Sequence, residues 1–135
     1  MDSHDPVGSG SFSMGRKFGS TVGYKSYARG NEAQASGSYS YADGYYTTAS
    51  GGYSHAEGFR TTASGNDSHA EGINTTASGE GSHAGGYYTT ASGKYTHAEG
   101  YKTTAFSNYS HAEGSSTKAN GEGAHAEGSS TTASG

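Results

Sequence analysis

Ser54-His55-Ala56-Glu57-Gly58-Phe59-Arg60-Thr61-Thr62-Ala63-Ser64-Gly65 contains two phrases, Ser-His-Ala-Glu-Gly and Thr-Thr-Ala-Ser-Gly, and their alternation decides the fold. The first phrase returns with small changes at Ser68–Gly72, Ser82–Gly86, Thr96–Gly100, Ser110–Gly114 and Ala124–Gly128, fourteen residues apart. A fixed period marks a solenoid, whose repeats must stack on one another to bury their surfaces. A period of seven underlies it: Ala recurs without exception from Ala28 to Ala133, and Gly follows two residues later from Gly30 to Gly135, broken only at Ser107. No coiled coil follows from this heptad, because the repeated positions carry Ser/Thr, Ala and Gly and supply no seam of large apolar residues.

Read with a period of two, Ser54, Ala56 and Gly58 face inward while His55 and Glu57 face outward. In the second phrase the outward columns are Thr48, Thr62, Thr76, Thr90, Thr104 and Thr132, with Ser50, Ser64, Ser78 and Ser92 beside them. Each heptad is therefore a short strand and a turn, two heptads make one coil, and the coils stack in parallel. At ~4.8 Å per strand spacing, about nine coils give a rod of roughly 40 Å. Small inward residues make the roll flat. The glycines are predicted to supply a positive φ or a tight reversal at the turns, so Ser107 is predicted to bear the strain of a turn built for Gly, with Phe106 projecting outward.

Hydrophobic residues make up 29% of the 135, much of it Ala and Tyr, with 24 Gly, so a monomer buries little apolar area against a high chain entropy. Disorder would fit that composition, but not an unbroken Ala register. Oligomerisation is the expected remedy. Cysteine is absent, which removes disulfides and thiolate metal sites. No apolar run approaches a membrane span, and no signal peptide follows Met1. The net charge of −4, without a Lys/Arg cluster, argues against nucleic acid and anionic membranes as partners.

Residues 1–10 contain the only Pro, Pro6, and no repeat phrase, and read as a flexible leader or expression remnant; the roll is expected over 11–135. Ser11-Phe12-Ser13-Met14-Gly15 aligns with Ser-His-Ala-Glu-Gly, with a one-residue insertion near Phe18 before the second strand at Gly19–Gly23. The His column thus runs Phe12, Tyr27, Tyr41 and then six histidines. With no capping element after Gly135, the chain is expected to be a piece of something longer.

The repeated Ser-x-Ala-x-Gly, with Ser11-Phe12-Ser13-Met14-Gly15 close to Ser-Val-Ala-Ile-Gly, resembles the YadA-like head repeat of trimeric autotransporter adhesins over about residues 11–135. The resemblance implies an all-β, left-handed parallel β-roll of 14-residue coils, assembled as a homotrimer on the bacterial outer surface. It also implies that the Ser-x-Ala-x-Gly strand faces the trimer axis. Its outward columns would then be Phe12, Met14, Tyr27 and Tyr41, followed by His55, Glu57, His69, Glu71, His83, His97, Glu99, His111, Glu113, His125 and Glu127. Two features depart from the family: His and Glu replace apolar axis residues, and no neck, coiled-coil stalk or membrane anchor follows. His-Ala-Glu-Gly versions also resemble segments of phage tail appendages and of surface proteins from Gram-positive bacteria.

Histidines fourteen apart form a ladder on one face, and stacking accounts for them better than metal binding, which usually gathers closely spaced or differently oriented ligands. The exception is an axial site where a threefold axis brings together three copies of one His. His83 is the candidate, since Gly85 replaces the Glu of its strand. Phe12 and Met14 are expected to lock the axis as its one strongly hydrophobic pair. A Ser/His/Glu hydrolase is not expected, because Ser54 points inward, away from His55 and Glu57. No phosphate-loop motif is present. Asn74-Thr75-Thr76 and Asn108-Tyr109-Ser110 match glycosylation sequons that a bacterial or phage source would leave unused.

Tyr45, Tyr46, Phe59, Ile73, Tyr87, Tyr88 and Tyr101 follow the Glu-column glycines and form one edge stripe; Tyr39, Tyr53, Tyr95 and Tyr109 mark the other edge. One stripe is expected to pack between protomers. The exposed one, extended by Phe106, is the candidate binding edge, since Tyr combines contact area with a polar tip at low entropic cost. The expected function is a non-enzymatic adhesion head, needing no cofactor, that attaches to host matrix proteins or glycans at the cell surface. The alternative is a structural shaft of a phage tail fibre or appendage on the virion. A third is ice binding by the Thr face, which resembles flat-faced antifreeze solenoids.

Overall fold

The computed structural model describes residues 12–16, of which 14–16 as backbone only, and 22–135. The expectations for residues 1–11, the Met14 side chain and the insertion near Phe18 lie outside these. The chain forms a parallel β-solenoid of about eight turns with a 14-residue repeat. After β1 (Phe12–Arg16) and β2 (Tyr27–Ala35), five-residue and two-residue strands alternate. They are β3 (Tyr41–Tyr45), β4 (Thr48–Ala49), β5 (His55–Phe59), β6 (Thr62–Ala63), β7 (His69–Ile73), β8 (Thr76–Ala77), β9 (His83–Tyr87) and β10 (Thr90–Ala91). β11 (His97–Tyr101), β12 (Thr104–Ala105), β13 (His111–Ser115), β14 (Lys118–Ala119), β15 (His125–Ser129) and β16 (Thr132–Ala133) complete the series.

The long strands pair in register through one ladder, His55 with His69 and Ala56 with Ala70, and the short strands through another, Thr62 with Thr76. β2 spans both ladders. Phe12 pairs with Tyr27, so fifteen residues separate the first two members of the ring column, as an insertion requires. Backbone hydrogen bonds run from coil to coil, as from His55 N–H to the Ser68 carbonyl at 2.9 Å and from Thr62 N–H to the Thr75 carbonyl at 2.9 Å.

Between the ladders lies a core of alanines from Ala28 to Ala126, most of them inaccessible to solvent. The largest fully buried side chains are threonines such as Thr61 and Thr75, so the layers nearly touch. The two hydroxyl columns differ. Ser54 Oγ donates to the Gly51 carbonyl at 2.6 Å and closes one turn, an arrangement repeated at Ser68 and Ser82. The buried Thr47, Thr61, Thr75, Thr89, Thr103 and Thr117 Oγ1 atoms have no hydrogen-bond partner.

The turn geometry bears out the glycine expectation for the column from Gly30 to Gly128, where φ is 107–135°, and corrects it for the column of Gly37, Gly51, Gly65, Gly79 and Gly93. At the reversals the left-handed residues are Tyr46, Arg60, Asn74, Tyr88 and Lys102, with φ of 54–57°, and Tyr39, Tyr53, Asp67, Tyr95 and Tyr109, with φ of 54–60°. The glycines are needed for close approach. Gly58 combines a φ of 113° with a position where a Cβ would lie 2.2 Å from the Gly72 carbonyl oxygen. Gly65 lacks positive φ, yet a Cβ there would come within 2.1 Å of the Gly79 carbonyl oxygen. Ser107 belongs to this second column and also lacks positive φ, so the predicted strain is absent. Its Oγ donates to the Asn120 carbonyl, a bond glycine could not make.

Candidate functional site

The outward positions of the long strands form one face, and in-register pairing places equivalent side chains one coil apart. A continuous column of rings results. Phe12, Tyr27 and Tyr41 stack at 4.9 and 4.8 Å between centroids, Tyr41 meets His55 at 4.5 Å, and His55, His69 and His83 follow at 4.6 and 4.9 Å. His83 and His97 meet at 4.8 Å with an interplanar angle of 67°, and His97, His111 and His125 stack again at 4.8 and 4.7 Å.

Carboxylates flank the histidines. Within a strand, His55 Nε2 lies 3.2 Å from Glu57, His97 3.0 Å from Glu99, His111 3.3 Å from Glu113 and His125 3.4 Å from Glu127. His69 is different, because Glu71 is 3.8 Å away and its Nε2 is buried without a hydrogen-bond partner. Burial first, then the neighbouring His55 and His83, lower the pKa of His69, against the opposing pull of Glu71 and Glu57. His83 has no carboxylate in its own strand, as Gly85 implies. It has one from the preceding coil, Glu71 Oε1 at 3.4 Å. Glu57, Glu71 and Glu99 border an open hollow floored by Gly85 and its neighbours.

Arg29 and Asp43 occupy the Glu column of the first coils, and the sequence reading left them out. Arg29 Nη2 lies 2.7 Å from Asp43 Oδ2, and Tyr41 OH donates to the same oxygen at 3.0 Å. Asp43 holds the Arg29 pKa up, while burial and then the Asp43 bond raise that of Tyr41. Counting two residues on from Tyr27 and Tyr41 would have found the pair.

The edge stripe forms as the register predicts. Tyr45 stacks on Phe59 at 5.2 Å and Tyr87 on Tyr101 at 5.4 Å, all exposed, with Ile73 between them in the ladder. Tyr46 and Tyr88 sit in the adjoining left-handed column, each edge-on to its predecessor at 4.7 Å. Phe106 is separate. It is 64% exposed but follows β12 in the Ser50–Ser92 column, outside the Tyr45 stripe. The opposite edge carries Tyr39 stacked on Tyr53 at 5.0 Å and Tyr95 on Tyr109 at 5.9 Å. On the short-strand face the outward threonines are in register, interrupted by exposed Lys118.

Ser54 Oγ is buried and bonded to Gly51, on the opposite side of its strand from His55. The sequence matches no protein-family model and no curated protein.

Proposed function

We propose that this chain is the binding head of a fibrous surface protein, a left-handed roll assembled as a homotrimer with the ring column and its carboxylates turned toward the common axis. One observation carries the reading: among the described residues no fully buried side chain is larger than Thr, while a stack of aromatic and imidazole rings runs the length of one face. So small a core contributes little burial energy per coil, and covering the ring face with two further chains adds what the monomer lacks. The resemblance to YadA-like head repeats supports the same arrangement. The role in this reading is adhesion without catalysis, at the outer surface of a bacterium. The Tyr45–Tyr101 stripe contacts a matrix protein or glycan.

Sedimentation equilibrium combined with a binding array tests it. A trimer that retains a matrix protein or glycan, and loses it in Tyr87→Ser/Tyr101→Ser, is expected. The double variant Phe12→Ser/Met14→Ser should loosen the N-terminal coils first. A stable, folded monomer overturns the reading.

A further inference from the structure

We infer that His55, Glu57 and His69 form a binding site for one zinc-like divalent transition-metal ion within a single chain. Among the described residues these three offer donor atoms that all lie within 4.8 Å of one another. Two imidazole nitrogens and one carboxylate oxygen suit a borderline cation such as Zn2+. Donors held at ~2.0–2.2 Å from an ion stand roughly 3.0–3.5 Å apart. His55 Nε2 and Glu57 Oε2 already do, at 3.2 Å. Side-chain rotation of the third donor would close the remaining gap. No backbone shift is needed, because strand pairing fixes the two histidines in register.

His69 Nε2 has no hydrogen-bond partner, so its lone pair is not committed elsewhere. Unlike His69, the later histidines each have a carboxylate oxygen within 3.4 Å of the ring nitrogen: His83 from Glu71 across a coil, and His97, His111 and His125 from their own strands. All three donors come from one chain, so the site requires no residue of another protomer.

The test is titration of the full, chelator-treated chain with Zn2+ alone at neutral pH, by calorimetry in buffers of different protonation enthalpy, with Co2+ absorption as a second readout. One ion per chain is expected. His69→Gln and Glu57→Gln should each weaken binding by at least about tenfold, and His125→Gln should leave it unchanged. Circular dichroism of each variant separates lost binding from lost fold, and Glu57→Gln, a near-isosteric change at a half-buried position, is the variant least able to disturb the roll. Unchanged affinity in a folded His69→Gln or Glu57→Gln overturns the assignment. So does equal loss in His125→Gln, which would mean diffuse binding along the ladder, or one ion per three chains, which would mean an axial site.

Discussion

His83 Nε2 lies 3.4 Å from Glu71 Oε1, a carboxylate twelve residues earlier, and this cross-coil pair exists because Gly85 leaves the carboxylate position of its own strand empty. Glu71 leans into that space: a Cβ on Gly85 would lie 3.5 Å from Glu71 Cγ, an ordinary contact. The ring of His83 stays parallel to that of His69, at 6°, and the stack breaks to 67° at His97.

Gly85→Ala should therefore be accommodated and stabilise the roll by about 0.5–1 kcal/mol, the usual penalty of a strand glycine. Gly79→Ala, whose Cβ would meet the Gly93 carbonyl oxygen at 1.9 Å, should destabilise it strongly. Chemical denaturation of the two variants checks the contrast. Equal effects would contradict it.

Thr75→Val should raise stability by about 1 kcal/mol, since it removes a buried hydroxyl that has no partner. Ser68→Ala should cost about as much, because the Ser68 hydroxyl closes a turn through the Gly65 carbonyl at 2.6 Å. Thermal melting distinguishes the two. A loss in Thr75→Val would mean that its hydroxyl is satisfied in solution.

Ser107→Gly should lower stability by about 1 kcal/mol, through the lost bond to Asn120 and the added freedom of the unfolded chain. The sequence alone predicts the opposite sign, from strain that is absent. A higher melting temperature for Ser107→Gly would restore that first expectation.

Stability should depend on pH through His69. Its folded pKa lies below the ordinary value of 6.5, so between the two values the unfolded chain binds more protons than the folded one. The stabilisation is therefore present above the unfolded pKa and is lost as pH falls through it. Melting in metal-free buffer from about pH 8 to about pH 5 should show this decline, reduced in His69→Gln. His55 and His83, which disfavour its charge, and Glu57 and Glu71, which favour it, set the size of the effect. An identical pH profile in wild type and variant would exclude His69 as its source.

Much of this molecule was legible in its repeats. The fourteen-residue coil, the inward Ser, Thr and Ala columns and the Phe12-to-His125 ring column all follow from strict periodicity, because in-register pairing converts spacing directly into contact. The turns were not legible. Tyr46, Arg60 and Lys102 adopt a left-handed conformation that their residue types do not announce, and only one of the two glycine columns takes positive φ, the other serving the approach of successive coils. Nor could alternation reveal that Glu71 reaches forward to His83, since the direction of a flexible carboxylate depends on a side chain missing one coil away. Phe106 was grouped with the edge by its character alone, and its register puts it on another face.

Because every column advances by one coil and each coil bonds only to the next, molecular length is a matter of copy number. Removing residues 66–79 would bring Gly65 directly before Glu80 and leave each inward, outward and turn position opposite its own kind. The rod can thus be shortened or extended in increments of about 4.8 Å by whole-repeat deletion or duplication, without redesign of any contact. The length of the roll is consequently adjustable by recombination between near-identical repeats.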